Sequence, residues 1–216
     1  KPVLQKLSNI ECKDAILGVR EDGTLYKPDW PEVDVIVGNP PFLGGKKIRQ
    51  ELGDATVDAL FKLYDELPST VDLVTYWFER AREQIESGQA KRAGLLATQA
   101  IRGGLNRPVL ERIKASGDIF FAYSDRPWVL DGAAVRVSMV GFDDGTESRK
   151  ELDDTPVTSI NPNLTGGIDI TEASQLPENR NIAYKGEEKG GAFDIPGDVA
   201  RMMLKAPVNP NGRPNS

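Results

Sequence analysis

Asn39, Pro40, Pro41 and Phe42 stand in a row directly after "DVIVG", and together their residue types can do chemistry. The asparagine side-chain carbonyl is one hydrogen-bond acceptor. The Pro40 carbonyl is a second, with its direction fixed by the two rings and no competing N–H. Two convergent acceptors grip an –NH2 group, and Phe42 offers a flat apolar face on which a planar base can stack. Such a set suits an aromatic amine held toward an electrophile. The bland alternative is a strand-ending turn, because Asn and Pro are turn residues.

The composition narrows the chemistry further. No histidine occurs in the 216 residues, which removes Ser-His, Cys-His and His-ligated metal catalysis from this chain. The single cysteine, Cys12, allows no disulfide framework or zinc cluster, and its apolar-flanked setting predicts a buried structural thiol. No metal centre is expected. The formal net charge of −6 does not suit a simple non-specific nucleic-acid binder, although a local basic groove stays open. No apolar run approaches the roughly 20 residues of a membrane span and no signal-peptide pattern opens the chain, so a cytoplasmic protein without a membrane partner is expected.

The elements that must position Asn39 follow from periodicity. Alternation around Ile10 and Cys12 predicts a short strand ending near Asp14, and the nearly all-apolar "VDVIVG" predicts a strand buried on both faces. Val57, Leu60, Phe61 and Tyr64 recur at helical spacing. A second helical stripe runs through Leu73, Tyr76, Trp77, Ala81 and Ile85 to Gly88, with Tyr76 and Trp77 in the core. "AKRAGLLAT" predicts another strand, "RPVLERIKASG" a short helix closed by Gly117, and "DIFFAYSD" and "AAVRVSMVGFDDG" two more strands. The last two have too short a link for a parallel crossover and must pair antiparallel. The fold class is α/β, a mostly parallel sheet with a terminal antiparallel hairpin. Beyond Gly145 the chain is polar and turn-rich, a linker or arm with one late helix in "GDVARMMLKA".

In an open α/β sheet, ligands sit at the carboxyl ends of strands, where Asn39 falls. "GNPPF" after "DVIV" resembles the catalytic motif of S-adenosylmethionine-dependent methyltransferases that act on the 6-amino group of adenine in DNA. The wider pattern, "NPPFLGGKKIR", "DLVTYWFERA", "KRAGLLATQAIRGG" and "SDRPWVLDGAAVRVSMVGFD", is similar to the methyltransferase region of MmeI-like restriction–modification enzymes over residues 8–145. "KGGAFDIP" and "NPNGRPNS" look like the segment that follows in that group.

The resemblance implies part of a class I, Rossmann-like methyltransferase sheet. It implies direct methyl transfer to a flipped adenine of double-stranded DNA, with Asn39 and Pro40 holding the amino group and Phe42 stacking on the base. Methylation at a cytosine ring carbon is excluded, since it needs a Pro-Cys nucleophile. The resemblance also makes Asp14, in "KDAIL", an acceptor for the adenine amino group of the cofactor, with Asn39 bordering the same site. Asp14 can equally be a loop cap. Lys46, Lys47 and Arg49 are either phosphate contacts or a solvated helix start. Arg102 beside Gly103-Gly104 presents the same choice. Trp128 either packs or borders the target base.

The family's glycine-rich cofactor loop has no counterpart before Asn39. The chain is therefore expected to start after the first half of the cofactor pocket, to be inactive alone, and to expose an edge of the "VDVIVG" strand that invites self-association. Residues 1–145 would be the C-terminal part of the catalytic domain, and residues 146–216 an extension toward a target-recognition region. Two rivals stay open: an amino-methyltransferase acting on protein glutamine or RNA guanine, and a non-catalytic DNA-binding piece of a larger defence protein.

Overall fold

The structure, a computed structural model, describes residues 10–130, 133–168 and 196–205. Its centre is a six-stranded sheet formed by β3 (Val33–Gly38), β4 (Ala90–Thr98), β5 (Asp118–Leu130), β6 (Ala133–Asp143), β7 (Lys150–Leu152) and β8 (Thr155–Val157), in the order β3-β4-β6-β5-β7-β8. A separate two-stranded ribbon joins β1 (Gly18–Val19) to β2 (Leu25–Tyr26). The strand expected around Ile10 and Cys12 does not form, and Cys12 is exposed rather than buried. Its alternation is too short to hold a strand without a partner.

Four strands, β3, β4, β5 and β7, share one direction, while β6 and β8 oppose them. The pairing is nevertheless mixed, with β3–β4 and β5–β7 parallel and the other three pairs antiparallel, which corrects the mostly parallel sheet of the sequence reading. The cause is the place of the hairpin. The short link forces β5 and β6 together as expected, but β6 inserts between β4 and β5 instead of ending the sheet. β7 and β8 then extend the sheet past residue 145, and the first compact unit runs to Ala173.

Helices α1 (Gly45–Leu52), α2 (Asp54–Leu63) and α3 (Val74–Glu86) connect β3 to β4. A 3-10 turn (Gln99–Arg102) and α4 (Arg107–Ser116) connect β4 to β5. One sheet face carries the core: Ala93, Leu95 and Ala97 of β4 and Val140 and Phe142 of β6 are buried with Phe78, Ala81 and Ile85 of α3 and Val109, Leu110 and Ile113 of α4. The Phe78 and Phe142 rings stack at 6.0 Å. The opposite face is open: Val35 and Val37 are 50% and 82% exposed, where burial on both faces was expected. Among the described residues β3 pairs only with β4, so its other edge is bare.

The second compact unit, Ser174–Ser216, contains α5 (Gly197–Leu204), the late helix foreseen in "GDVARMMLKA". "NPNGRPNS" and all of "KGGAFDIP" before Pro196 lie outside the described residues.

Candidate active site

β3 and β4 run parallel in register, with Gly38 opposite Leu95, so the Asn39–Gly44 loop and the 99–106 segment leave the sheet at the same edge. There Asn39 and Pro41 are exposed, Pro40 is buried, and Phe42 is half-buried. Phe42, Leu43, Gly44, Gly45, Lys46 and Lys47 line an open cavity of about 510 Å³ whose far wall is Thr70 and Asp72. Thr70 and Asp72 also border a second cavity of about 640 Å³, against Gln99, Arg102, Gly103, Gly104, Asn163 and Thr165. The two cavities share a wall and line one side of the sheet edge.

Lys46 and Lys47, exposed in the first turn of α1, make no ion pair among the described residues. Arg49, one turn on, is held by two carboxylates of α2, Asp54 at 2.7 Å and Asp58 at 2.9 Å. Arg102 stands 3.8 Å from Asp125, a loose pair that leaves its guanidinium able to reorient. Gly104 has φ +53°, a conformation that lets the backbone turn tightly into α4.

Trp128 lies on the projecting hairpin. Thr98, the last residue of β4, pairs with Val137, and Val137 with Arg126, so β5 and β6 continue past the end of β4. Trp128, opposite Val135, is then about 7 Å farther along at the usual rise per residue, on the same edge as the Asn39 loop. It is 37% exposed, so it does not serve core packing alone.

Asp14 is exposed and caps a turn. Its Oδ1 accepts from the Ile16 and Leu17 backbone N–H groups, each at 2.9 Å. The turn is pinned to the core by the Tyr64 hydroxyl, which donates to the Ile16 carbonyl at 2.9 Å, and by Trp30 Nε1, which donates to the Ala15 carbonyl at 2.7 Å. No hydrogen bond to Asp14 Oδ2 occurs among the described residues, so that oxygen keeps acceptor capacity.

Sequence reasoning missed Asp72 and Asn106. Asp72 Oδ1 accepts from the Gly45 N–H at 2.9 Å, and Oδ2 accepts from Asn106 Nδ2 at 2.9 Å. Asn106 Oδ1 in turn accepts from the Asp72 N–H at 2.7 Å. The signal in the sequence was one polar residue just before each of two helices, which would pass for a cap. Neither side chain caps its own helix; they face each other across 34 residues.

A mixed α/β sheet with a polar, aromatic-bearing loop at the carboxyl edge of its parallel strands is the setting of a ligand-binding enzyme domain. The sequence model of the MmeI DNA-methyltransferase domain matches residues 4–153, and the chain belongs to that family. DNA methyltransferase A of Bacillus subtilis (strain 168) is 31% identical over 183 residues, covering 80% of this chain and 20% of the relative. The solved structure of the Type IIL restriction-modification enzyme MmeI in complex with DNA is alike in fold, at TM-score 0.52 and 24% identity. That match covers 63% of this chain and 20% of the other. The chain thus spans about a fifth of the length of each. Among its described residues no helix is long and apolar enough to cross a membrane.

Proposed function

We propose that this DNA-methyltransferase-type domain serves transfer of a methyl group from S-adenosylmethionine to the 6-amino group of an adenine flipped out of double-stranded DNA. The observation that carries this reading is the Asn39–Phe42 loop at the carboxyl edge of β3, with a half-buried ring facing an open cavity. Asn39 and the Pro40 carbonyl accept from the amino group, and Phe42 stacks on the base. The grip turns the amine lone pair toward the methyl donor, so catalysis is positioning and electrostatics with no covalent intermediate. Lys46 and Lys47 approach the flanking phosphates, as does Arg102 once released from Asp125. An Arg49 contact with phosphate would first have to break its pairs with Asp54 and Asp58. Trp128, on the hairpin that overhangs the same edge, borders the target base.

The cofactor supplies an activated methyl group on sulfonium. An acceptor with spare capacity at Asp14 Oδ2 fits the adenine amino group of such a cofactor, and Asn39 borders the same place. The chain works within a longer polypeptide whose upstream part completes the pocket, and is inactive by itself. The one-fifth coverage of the relatives and the bare β3 edge support that reading. The same edge would favour self-association of the isolated chain.

The test is Asn39→Ala in the enzyme extended upstream. Methylation is expected to fall by at least about a hundredfold with unchanged melting temperature. Retained activity would remove Asn39 from the chemistry.

A further inference from the structure

The loop that carries Asn39 is not held by β3 alone. Three chain segments meet at Asp72: the end of the Asn39–Gly45 loop, the entry to α3, and the entry to α4. Asp72 receives the Gly45 N–H on one oxygen and the Asn106 amide on the other, while Asn106 returns the bond to the Asp72 N–H. The Leu73 N–H donates to the Leu43 carbonyl at 2.8 Å, a second tie between the same two segments. Thr75 Oγ1 lies 3.4 Å from Asn106 Oδ1, and Asn106 Nδ2 lies 3.4 Å from the Ala100 carbonyl, which brings in the 3-10 turn after β4.

Gly45 is bound into this contact by its lack of a side chain. A Cβ there would stand 2.1 Å from the Thr70 carbonyl oxygen, so the two backbones approach as no other residue permits. Asn106 is buried, and its amide oxygen and nitrogen both have partners. The pair is polar and part-buried, and its Asp72 stands in the wall shared by the two cavities. Unpaired, such groups would cost more than a turn at the surface warrants. A hydrophobic seam would join the helices without fixing the direction of one loop N–H.

We propose that Asp72 and Asn106 are positioning residues for methyl transfer: their reciprocal hydrogen bonds lock the loop bearing Asn39 and Phe42 to the segment bearing Arg102. The proposal rests on the assignment of Asn39 above. In this role both act through the loop rather than on the base or the cofactor. They set the distance and angle at which the base-gripping loop faces the wall across the groove, and a misplacement of about 1 Å can cost about a hundredfold in rate.

The two side chains can be exchanged in a way that tests this. Asp72→Asn alone puts an amide nitrogen either against the Gly45 N–H or against the Asn106 amide, a donor facing a donor. Asn106→Ala removes the brace and leaves the Gly45 bond. In the double exchange Asp72→Asn with Asn106→Asp, position 72 keeps an acceptor for Gly45 and donates its amide to the carboxylate now at position 106. That carboxylate also accepts the position-72 N–H. The reciprocal pair is restored with one direction reversed, and only the weak 3.4 Å bond to the Ala100 carbonyl is given up.

The experiment measures kcat and KM for a duplex DNA substrate, with melting temperature, in the upstream-extended enzyme carrying each single variant and the exchange. Each single variant is expected to lower kcat by about tenfold or more, with KM for DNA within about threefold, and the exchange to recover kcat to within about threefold of wild type. Unchanged kcat in folded single variants overturns the proposal. So does a kcat loss that follows the loss of folded protein, with no recovery in the exchange. Should a single variant fail to fold, the exchange decides: folded and near wild-type activity supports positioning, while a slow or unfolded exchange overturns it. Asn39→Ala is run alongside. Activity retained there defeats the functional reading itself, whereas its loss beside unaffected Asp72 and Asn106 variants defeats only this inference.

Discussion

At the scale of single residues, the loop chemistry divides between groups with spare bonding capacity and groups already engaged. Asn39 and Lys47 are exposed on the open edge, whereas Arg49 is held by Asp54 and Asp58. Asp14 is the informative intermediate, because one oxygen holds the 14–17 turn and the other has no partner among the described residues. Asp14→Asn separates the two roles. Its amide oxygen can still cap the turn, so stability should change by less than about 1 kcal/mol. Its amide nitrogen would face a donor on the cofactor, and loss of a hydrogen bond to a charged acceptor predicts about tenfold weaker S-adenosylmethionine binding by the upstream-extended enzyme in calorimetry. Unaltered affinity would leave Asp14 as a turn cap only.

At the scale of elements, what the sequence made legible was whatever depends on local period. The stripes through Val57–Tyr64 and Leu73–Ile85 became α2 with Tyr64 just after it, and α3, and Gly117 closes α4 as its place after "KAS" suggested. Long-range pairing was not legible: nothing local in "AAVRVSMVGFD" says that β6 slides between β4 and β5, or that Asp72 will meet Asn106. The Asn39 loop could be found because its chemistry is contiguous, and its brace was missed because it is not. The same holds for the link between α3 and α4, where fully buried Glu79 accepts from Arg82 Nε and Nη2 and from Arg112 Nε and Nη2 at 2.7–3.0 Å. Burial alone would raise the Glu79 carboxyl, but the Arg112 and Arg82 guanidiniums outweigh it and hold it below its ordinary 4.5. A depressed folded value means the stabilisation is complete above about pH 4.5 and is lost as pH falls through the folded value, the unfolded chain taking the proton first. Glu79→Ala takes four charge-assisted hydrogen bonds away, leaving Arg82 with Glu86 and the partly exposed Arg112 to water, so it should destabilise by about 2 kcal/mol at neutral pH and flatten the acid limb of the stability curve. A melting temperature within error of wild type would show that the cluster is replaced by water at no cost.

At the scale of the molecule, among the described residues an open sheet face and an unpaired β3 edge stand beside a helical layer on the other face. The core that supports the Asn39 loop is thus complete on one side only. Calorimetry of the 216-residue chain is expected to show no S-adenosylmethionine binding, and the version extended upstream to bind. Micromolar binding by the short chain would mean a pocket formed differently, for instance across two copies joined at β3. The family, the loop at the parallel edge and the overhanging hairpin all bear on one claim, that the acceptor is the adenine 6-amino group. It is tested most directly by incubating the upstream-extended enzyme with duplex DNA and labelled S-adenosylmethionine, then digesting the DNA to nucleosides and identifying the labelled one. The label is expected in N6-methyladenine, and to vanish with Asn39→Ala. Label in a cytosine derivative, or none in DNA with transfer to protein or RNA instead, would contradict the account.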